Sequence, residues 1–300
     1  MAVKLTFNNT KGGVSKTTSI VNLAGALLKT YPNSKILIVD TDGQGNTSTS
    51  FNLSKAKYED TIYDVFIGEK DPEEVIINLY GNIDTIPANA DMDFLDFDFM
   101  SETREQDIVS IYEFLSKDKD VINLDYKDFR KALGGQLKES RYFNLLKGKF
   151  DKLDEIYDFI LFDTPPEMKA VTSSVLAISD YVIVPFEPDA YSAEGISRLL
   201  RRILTIEKEY NHKLKIAGLL PVKVDKRTKL HNEVMLQVLK FANKNGINHF
   251  DTTIPQSVRF ASATASGLPA TLLNKSTSKF TESYFKLLEE MQDMSIFPKK

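Results

Sequence analysis

The sequence predicts a doubly wound, mostly parallel α/β sheet flanked by helices, and three observations predict it. Short apolar runs recur at residues 3–8, 35–40, 83–86, 157–163, 181–184 and 216–222, with helical spacing of apolar residues between most of them. One of these runs, Phe159-Ile160-Leu161-Phe162, is apolar at every position, as a strand covered on both faces must be. The third observation is the order in which the first elements follow one another: strand, glycine-bearing turn, helix.

That first unit carries the most information. Residues 3–8 alternate apolar and polar side chains, and Ile20, Leu23, Ala24, Leu27 and Leu28 afterwards keep an i, i+3, i+4, i+7, i+8 rhythm. Between them lie Lys11-Gly12-Gly13-Val14-Ser15-Lys16-Thr17-Thr18. Glycines without Cβ let successive N–H groups curl round an anion, and a helix N-terminus adds partial positive charge. The turn therefore reads as a cradle for a nucleoside triphosphate, with Lys16 neutralising the β- and γ-phosphates and the Thr17 hydroxyl ligating Mg²⁺. The strict G-x-x-x-x-G-K-[ST] pattern is broken at Thr10 and at Ser15. Ser15 stands where glycine commonly adopts a left-handed backbone, at a cost for serine on the order of 1 kcal/mol. The intact Lys16-Thr17-Thr18 implies that binding survives this and that turnover is slowed.

Two further segments support the cradle. Residues 35–40 end in Asp40, followed by Thr41-Asp42-Gly43-Gln44-Gly45-Asn46, and in an extended chain Asp40 and Asp42 share one side. Residues 157–162 likewise deliver Asp163, followed by Thr164-Pro165-Pro166, in the manner of a Walker B strand. A single strand-end aspartate reads first as a cap or turn residue. Three of them at the carboxyl ends of parallel strands, with the cradle, predict convergence on one Mg-nucleotide.

At these residues the chain resembles the ParA/MinD ATPases, whose deviant Walker A box usually reads KGGxGKTT. Residues 39–46 are similar to the VDxDPQGN of the ParA branch, residues 163–166 to its DxPP and residues 185–195 to its PxxPxxxxxEG. Val224-Asp225-Lys226-Arg227-Thr228 and Ile254-Pro255-Gln256-Ser257-Val258-Arg259 resemble its D-x-R-T and I-P-R-N-V-R segments. The resemblance implies an ATPase using ATP and Mg²⁺, with residues 11–18 binding the nucleotide. Lys11 would reach the partner's nucleotide in an ATP-dependent sandwich homodimer. Asp42 would orient the attacking water, Asp163 would hold Mg²⁺ through water, and Asp40 would tune the same shell. Gly43, where the family has proline, implies a looser turn.

Composition bounds the rest. With 300 residues and 42% hydrophobic content the chain can bury a substantial core, and a single domain over residues 1–300 is expected, with a helical insertion at about residues 91–145. That insertion opens on Asp91-Met92-Asp93-Phe94-Leu95-Asp96-Phe97-Asp98-Phe99, read as an amphipathic segment packed on the core, and Gly134-Gly135 marks a turn or helix end. The absence of cysteine excludes disulfides, Cys-ligated zinc and a bridging iron–sulfur cluster. His212, His231 and His249 lack ligand spacing. No secretory leader and no membrane span is read in the sequence, so a cytoplasmic location is expected.

The net charge of −4 hides a division: residues 1–190 carry 20 basic and 32 acidic side chains, residues 191–300 carry 18 and 10. A basic second half with arginines on several elements suits sequence-blind DNA binding, and the resemblance assigns that role first to Arg227 and Arg259. Three classes of function follow. The first is a DNA-partitioning ATPase, nucleoid-associated and released when a ParB-like centromere-binding partner stimulates hydrolysis. The second is a MinD-like positioner at a membrane surface, opposed by Glu282, Glu289, Glu290 and Asp293 on a C-terminal helix that reads as a docking helix. The third is a metabolic P-loop enzyme, for which no acceptor pocket is visible.

Overall fold

The computed structural model describes residues 1–99, 142–189, 192–225, 227–273 and 280–299. Most of the expected insertion, with Gly134-Gly135, lies outside these residues. The strands are β1 Val3–Phe7, β2 Ile36–Asp40, β3 Ile77–Tyr80, β4 Ile83–Ile86, β5 Phe159–Asp163, β6 Tyr181–Phe186 and β7 Lys215–Pro221. They form one sheet in the order β3-β4-β2-β5-β1-β6-β7, in which every neighbouring pair is parallel except β3 with β4. The order turns outward in both directions from β1, so the segment leaving β1 lies at the switch point where open α/β sheets place their ligands.

Helices cover both faces. The first of them in chain order are α1 Lys16–Thr30, α2 Asn46–Ser50, α3 Ile62–Ile67, α4 Leu153–Ile156, α5 Ala170–Ile178 and α6 Ser192–Glu209. The last described helices are α7 Lys229–Lys244, α8 Val258–Ala265, α9 Ala270–Leu273 and α10 Glu282–Asp293. Leu5, Phe7, Ile38 and Leu161 pack under Ile20, Leu23 and Leu27 of α1 and Tyr284, Leu287 and Met291 of α10. The opposite face sets Val39, Ile160 and Phe162 against Val65 of α3 and Val175 of α5. A third cluster joins Val182 and Val184 of β6 to Leu199 and Ile203 of α6 and Val238 of α7.

β2 and β5 are buried at every residue, in accord with their unbroken apolar runs. β3, which no sequence pattern predicts, is a half-exposed edge strand joined to β4 by a turn at Gly81, whose φ is +55°. α10 docks as expected: its apolar stripe is buried, and its Glu290 carboxylate accepts the backbone N–H groups of Asp251 and Thr252. Residues 91–95 pack through Met92 and Leu95, while Phe94 and Phe97 are exposed. Among the described residues no helix is long and apolar enough to cross a membrane.

Candidate functional site

Strand register assembles the site. Phe7, the last residue of β1, lies level with Asp163 of β5, and Asp163 lies level with Asp40 of β2. The carboxylates at the ends of two strands are thus delivered beside the turn leaving the third. Above them opens a cavity of about 780 Å³ lined by residues 12–18, Thr41, Asp42, Pro165 and Pro166, and also by Lys223 and Thr264.

The turn has the geometry its composition predicts. Gly13 is left-handed at φ +74°, and so is Ser15, at φ 58° and ψ 29°, directly before α1. Serine therefore occupies the strained position anticipated for it, with no side-chain cap on the helix in return. Asn9 fixes the entrance: its side chain accepts from Lys11 N–H at 2.9 Å and donates to the Pro185 carbonyl at 2.6 Å, tying the loop to the end of β6. Lys16 is buried, and its Nζ donates to the Asn9 carbonyl at 3.2 Å. Burial lowers its pKa, opposed by the nearby charges of Asp163 and Asp42.

Burial pushes the two interior carboxyl groups the other way. Asp40 is fully buried and accepts from the N–H groups of Asp42 and Thr47, both at 3.1 Å. Burial, reinforced by Asp163, holds its pKa well above the carboxylate range. Asp163 is pushed up to about 7, first by burial, against the Thr17 and Thr47 hydroxyls and the Lys16 ammonium. Its Oδ1 is buried with no hydrogen-bond partner, and the Thr47 Oγ1 stands 3.5 Å from Oδ2. Two carboxyl groups short of cation, facing a hydroxyl-bearing helix start, suit a hydrated divalent cation better than they suit an empty protein interior.

Asp42 is half-buried on the cavity wall, and its Oδ1 accepts from Gln44 N–H at 3.1 Å. The turn after it is not loosened by Gly43 as expected. A Cβ there would lie 2.6 Å from Asp93 Oδ1, so glycine lets the Asp93 side chain close over the turn. Lys11 lies outside the cavity, exposed, with its ammonium on the Asp189 carboxylate of the same chain. It sits over a second hollow of about 640 Å³ lined by Phe186, Ile196, Leu199, Arg198 and Arg202.

Arg227 and Arg259 belong to a separate surface. The bridge between Val224 and Pro255 brings their two segments side by side. Arg227 is nearly fully exposed and forks onto Asp225, Nε to Oδ1 at 2.9 Å and Nη2 to Oδ2 at 2.8 Å, which holds that carboxyl down to about 2. The Arg259 guanidinium lies 4.3 Å from the Phe280 ring centroid. Among the described residues no group of histidine and carboxylate side chains forms a metal cage. His231 instead accepts the Asp225 N–H.

The structure brings Lys16, Thr17, Asp40, Asp42 and Asp163 close to one another, with Thr47 and Asn9, which the sequence did not single out, and Lys223, which counted there only among the basic residues of the second half. Thr47 lies just past the Gly45-Asn46 turn, and a hydroxyl at a helix start there was the available signal. Lys223 carries no motif and is placed only by the fold.

Known proteins share this fold. An AAA domain family model matches residues 2–133 and 123–216. A ParA family protein of Mycoplasma genitalium is 30% identical over 302 residues, covering 97% of each chain. The sporulation initiation inhibitor protein Soj of Bacillus subtilis is 28% identical over 288 residues, covering 96% of this chain and 97% of its own. Among solved structures, a McdA variant of Cyanothece in complex with ATP superposes with a TM-score of 0.72 at 17% identity, covering 100% of this chain and 98% of its own. Cobyrinic acid a,c-diamide synthase of Mycobacterium smegmatis, with an ATP analogue and magnesium, gives 0.69 at 22% identity, covering 98% and 97%. Matched along nearly its whole length by sequence and by fold, the chain belongs to the ParA/Soj family of P-loop ATPases.

Proposed function

We propose that this chain is a DNA-partitioning ATPase that binds Mg-ATP in the 780 Å³ cavity, closes as a homodimer over it and grips duplex DNA without reading sequence. The observation that carries the reading is the row Phe7, Asp163, Asp40, which sets two buried carboxylates beside a left-handed glycine and serine cradle. Backbone N–H groups of residues 13–18 and the Lys16 ammonium would hold the phosphates. Thr17 would ligate Mg²⁺, with Asp163 and Asp40 holding its water shell, which suits an ion that keeps several waters. Bound there, the cation supplies charge neutralisation at the transferring phosphoryl group. Asp42, half-buried on the cavity wall, would position the attacking water, a task that needs placement more than basicity.

Lys11, exposed and paired with Asp189 in the single chain, would leave that carboxylate to meet a nucleotide on a facing copy. The exposed Arg227 and Arg259, on adjoining segments, would neutralise DNA phosphates. A ParB-like partner would stimulate hydrolysis and release the chain from DNA, making it cytoplasmic and nucleoid-associated. The membrane-positioning alternative loses its main support, because the apolar face of α10 is buried against α1. Light scattering tests the cycle: with Mg-ATP the wild type should double in mass, Asp42→Ala should stay doubled, and Lys11→Ala should remain a monomer. A Lys11→Ala dimer indistinguishable from wild type, or full turnover by Asp42→Ala, would overturn these roles.

A further inference from the structure

We infer that Lys223 is a further phosphate-binding residue of the nucleotide site, a cation delivered to the cradle from the end of β7. The inference rests on the nucleotide reading above and concerns a residue that belongs to none of the motifs. Its Nζ lies 4.0 Å from the point a Cβ would occupy on Gly13, and its side chain lines the same cavity as residues 12–18.

The backbone is built to hold it there. Val222 N–H donates to the Phe186 carbonyl at 2.8 Å, and Val224 N–H donates to the Ile254 carbonyl at 3.1 Å. Both neighbours of Lys223 are therefore pinned to different elements, and the residue between them is forced to φ +54°, the left-handed region that a side chain with Cβ disfavours. Glycine would relax this position, yet the chain carries a long cation. Strain of this kind persists where the surrounding structure over-determines it, and it gathers at ligand sites. The partner of Lys223 in the free protein is Glu187 Oε2 at 3.6 Å, one residue beyond β6, and both side chains are about one-third exposed. A solvent-screened pair of that kind is too weak to account for the strained backbone. A polyphosphate held by the adjacent N–H groups offers more negative charge at shorter range, and Lys223 can exchange Glu187 for it.

The test measures Mg-ATP affinity by calorimetry and, separately, displacement of a fluorescent ATP analogue by tripolyphosphate. Lys223→Gln and Lys223→Gly should each weaken ATP and tripolyphosphate about tenfold, the loss typical of a hydrogen bond to a charged group. Lys223→Arg should restore both, and Glu187→Gln should shift both toward tighter binding. Without nucleotide, Lys223→Gly should fold and melt close to wild type, because relief of the left-handed strain offsets the added freedom of the unfolded chain, which separates a binding loss from a folding defect. The inference is overturned if the Gln and Gly variants bind ATP and tripolyphosphate as wild type does, or if ATP weakens while tripolyphosphate does not. Failure of the wild type itself to bind ATP would instead overturn the nucleotide reading beneath it.

Discussion

Asp40 and Asp163 are buried, level with each other on adjacent strands and short of positive charge, whereas Arg227 and Arg259 stand on the surface, each already engaged by a neighbour. The first region works against the stability of the free protein, since burial first, and a neighbouring carboxylate after it, raises the pKa of both groups. The second is close to neutral for the fold, because exposed charge pairs contribute little. The same residue types, carboxylates and cations, thus have opposite consequences. A ligand arriving at the strand ends should be felt as stability, while one arriving at the basic face should be felt only as binding.

The largest expected effect breaks the comparison at its buried end. Lys16→Ala removes the only buried ammonium facing Asp163 among the described residues, so the rise in melting temperature produced by Mg-ATP should vanish. A wild-type shift in that variant would contradict the cradle. Next, Asp163→Asn should raise the stability of the nucleotide-free protein by about 1–2 kcal/mol, because it removes the charge from a buried carboxyl group whose Oδ1 has no hydrogen-bond partner. It should also abolish the dependence of nucleotide binding on Mg²⁺.

The same carboxyl gives a pH signature whose sign is fixed. With its pKa raised from 3.8 to about 7, the folded state binds more protons than the unfolded one across that interval. Stability of the free protein should therefore be full below about pH 4 for this group and fall as pH rises toward about 7. Denaturant melts should show that decline in wild type and a flatter profile in Asp163→Asn; equal slopes would place the charge elsewhere.

At the exposed end, Arg227→Glu with Arg259→Glu should leave the melting temperature nearly unchanged and weaken duplex affinity about tenfold or more, with a shallower salt dependence. Nucleotide affinity should not move. The smallest effect belongs to Ser15→Gly, which relieves a left-handed serine but adds freedom to the unfolded chain, so stability should change by less than about 1 kcal/mol. Its informative readout is turnover, which should rise if the serine restrains the loop.

Much of the buried region was legible because its physics is local. The glycine turn, the unbroken apolar runs of β2 and β5 and the aspartates at their ends all write themselves into short stretches of sequence. Even the strain at Ser15 could be read from what that position demands. What escaped depends on tertiary approach. β3 is a short edge strand whose half-exposed pattern resembles a loop. The Asp93 side chain closes over Gly43 from more than forty residues away, which reversed the expected looseness of that turn. Lys223 reaches Gly13 only because β6 and β7 are neighbours and two backbone bonds fix its direction. The basic face was legible as a charge imbalance, but charge counting could not show that Arg227 is clasped by Asp225.

The central claim is that occupancy of the strand-end cradle governs the grip of the basic face. Binding of the full chain to random-sequence duplex DNA, measured with Mg-ATP, with Mg-ADP and without nucleotide across a salt series, tests it most directly. Tight, sequence-blind, salt-sensitive binding is expected with Mg-ATP alone. Equal affinity in all three conditions, or none in any, would contradict it.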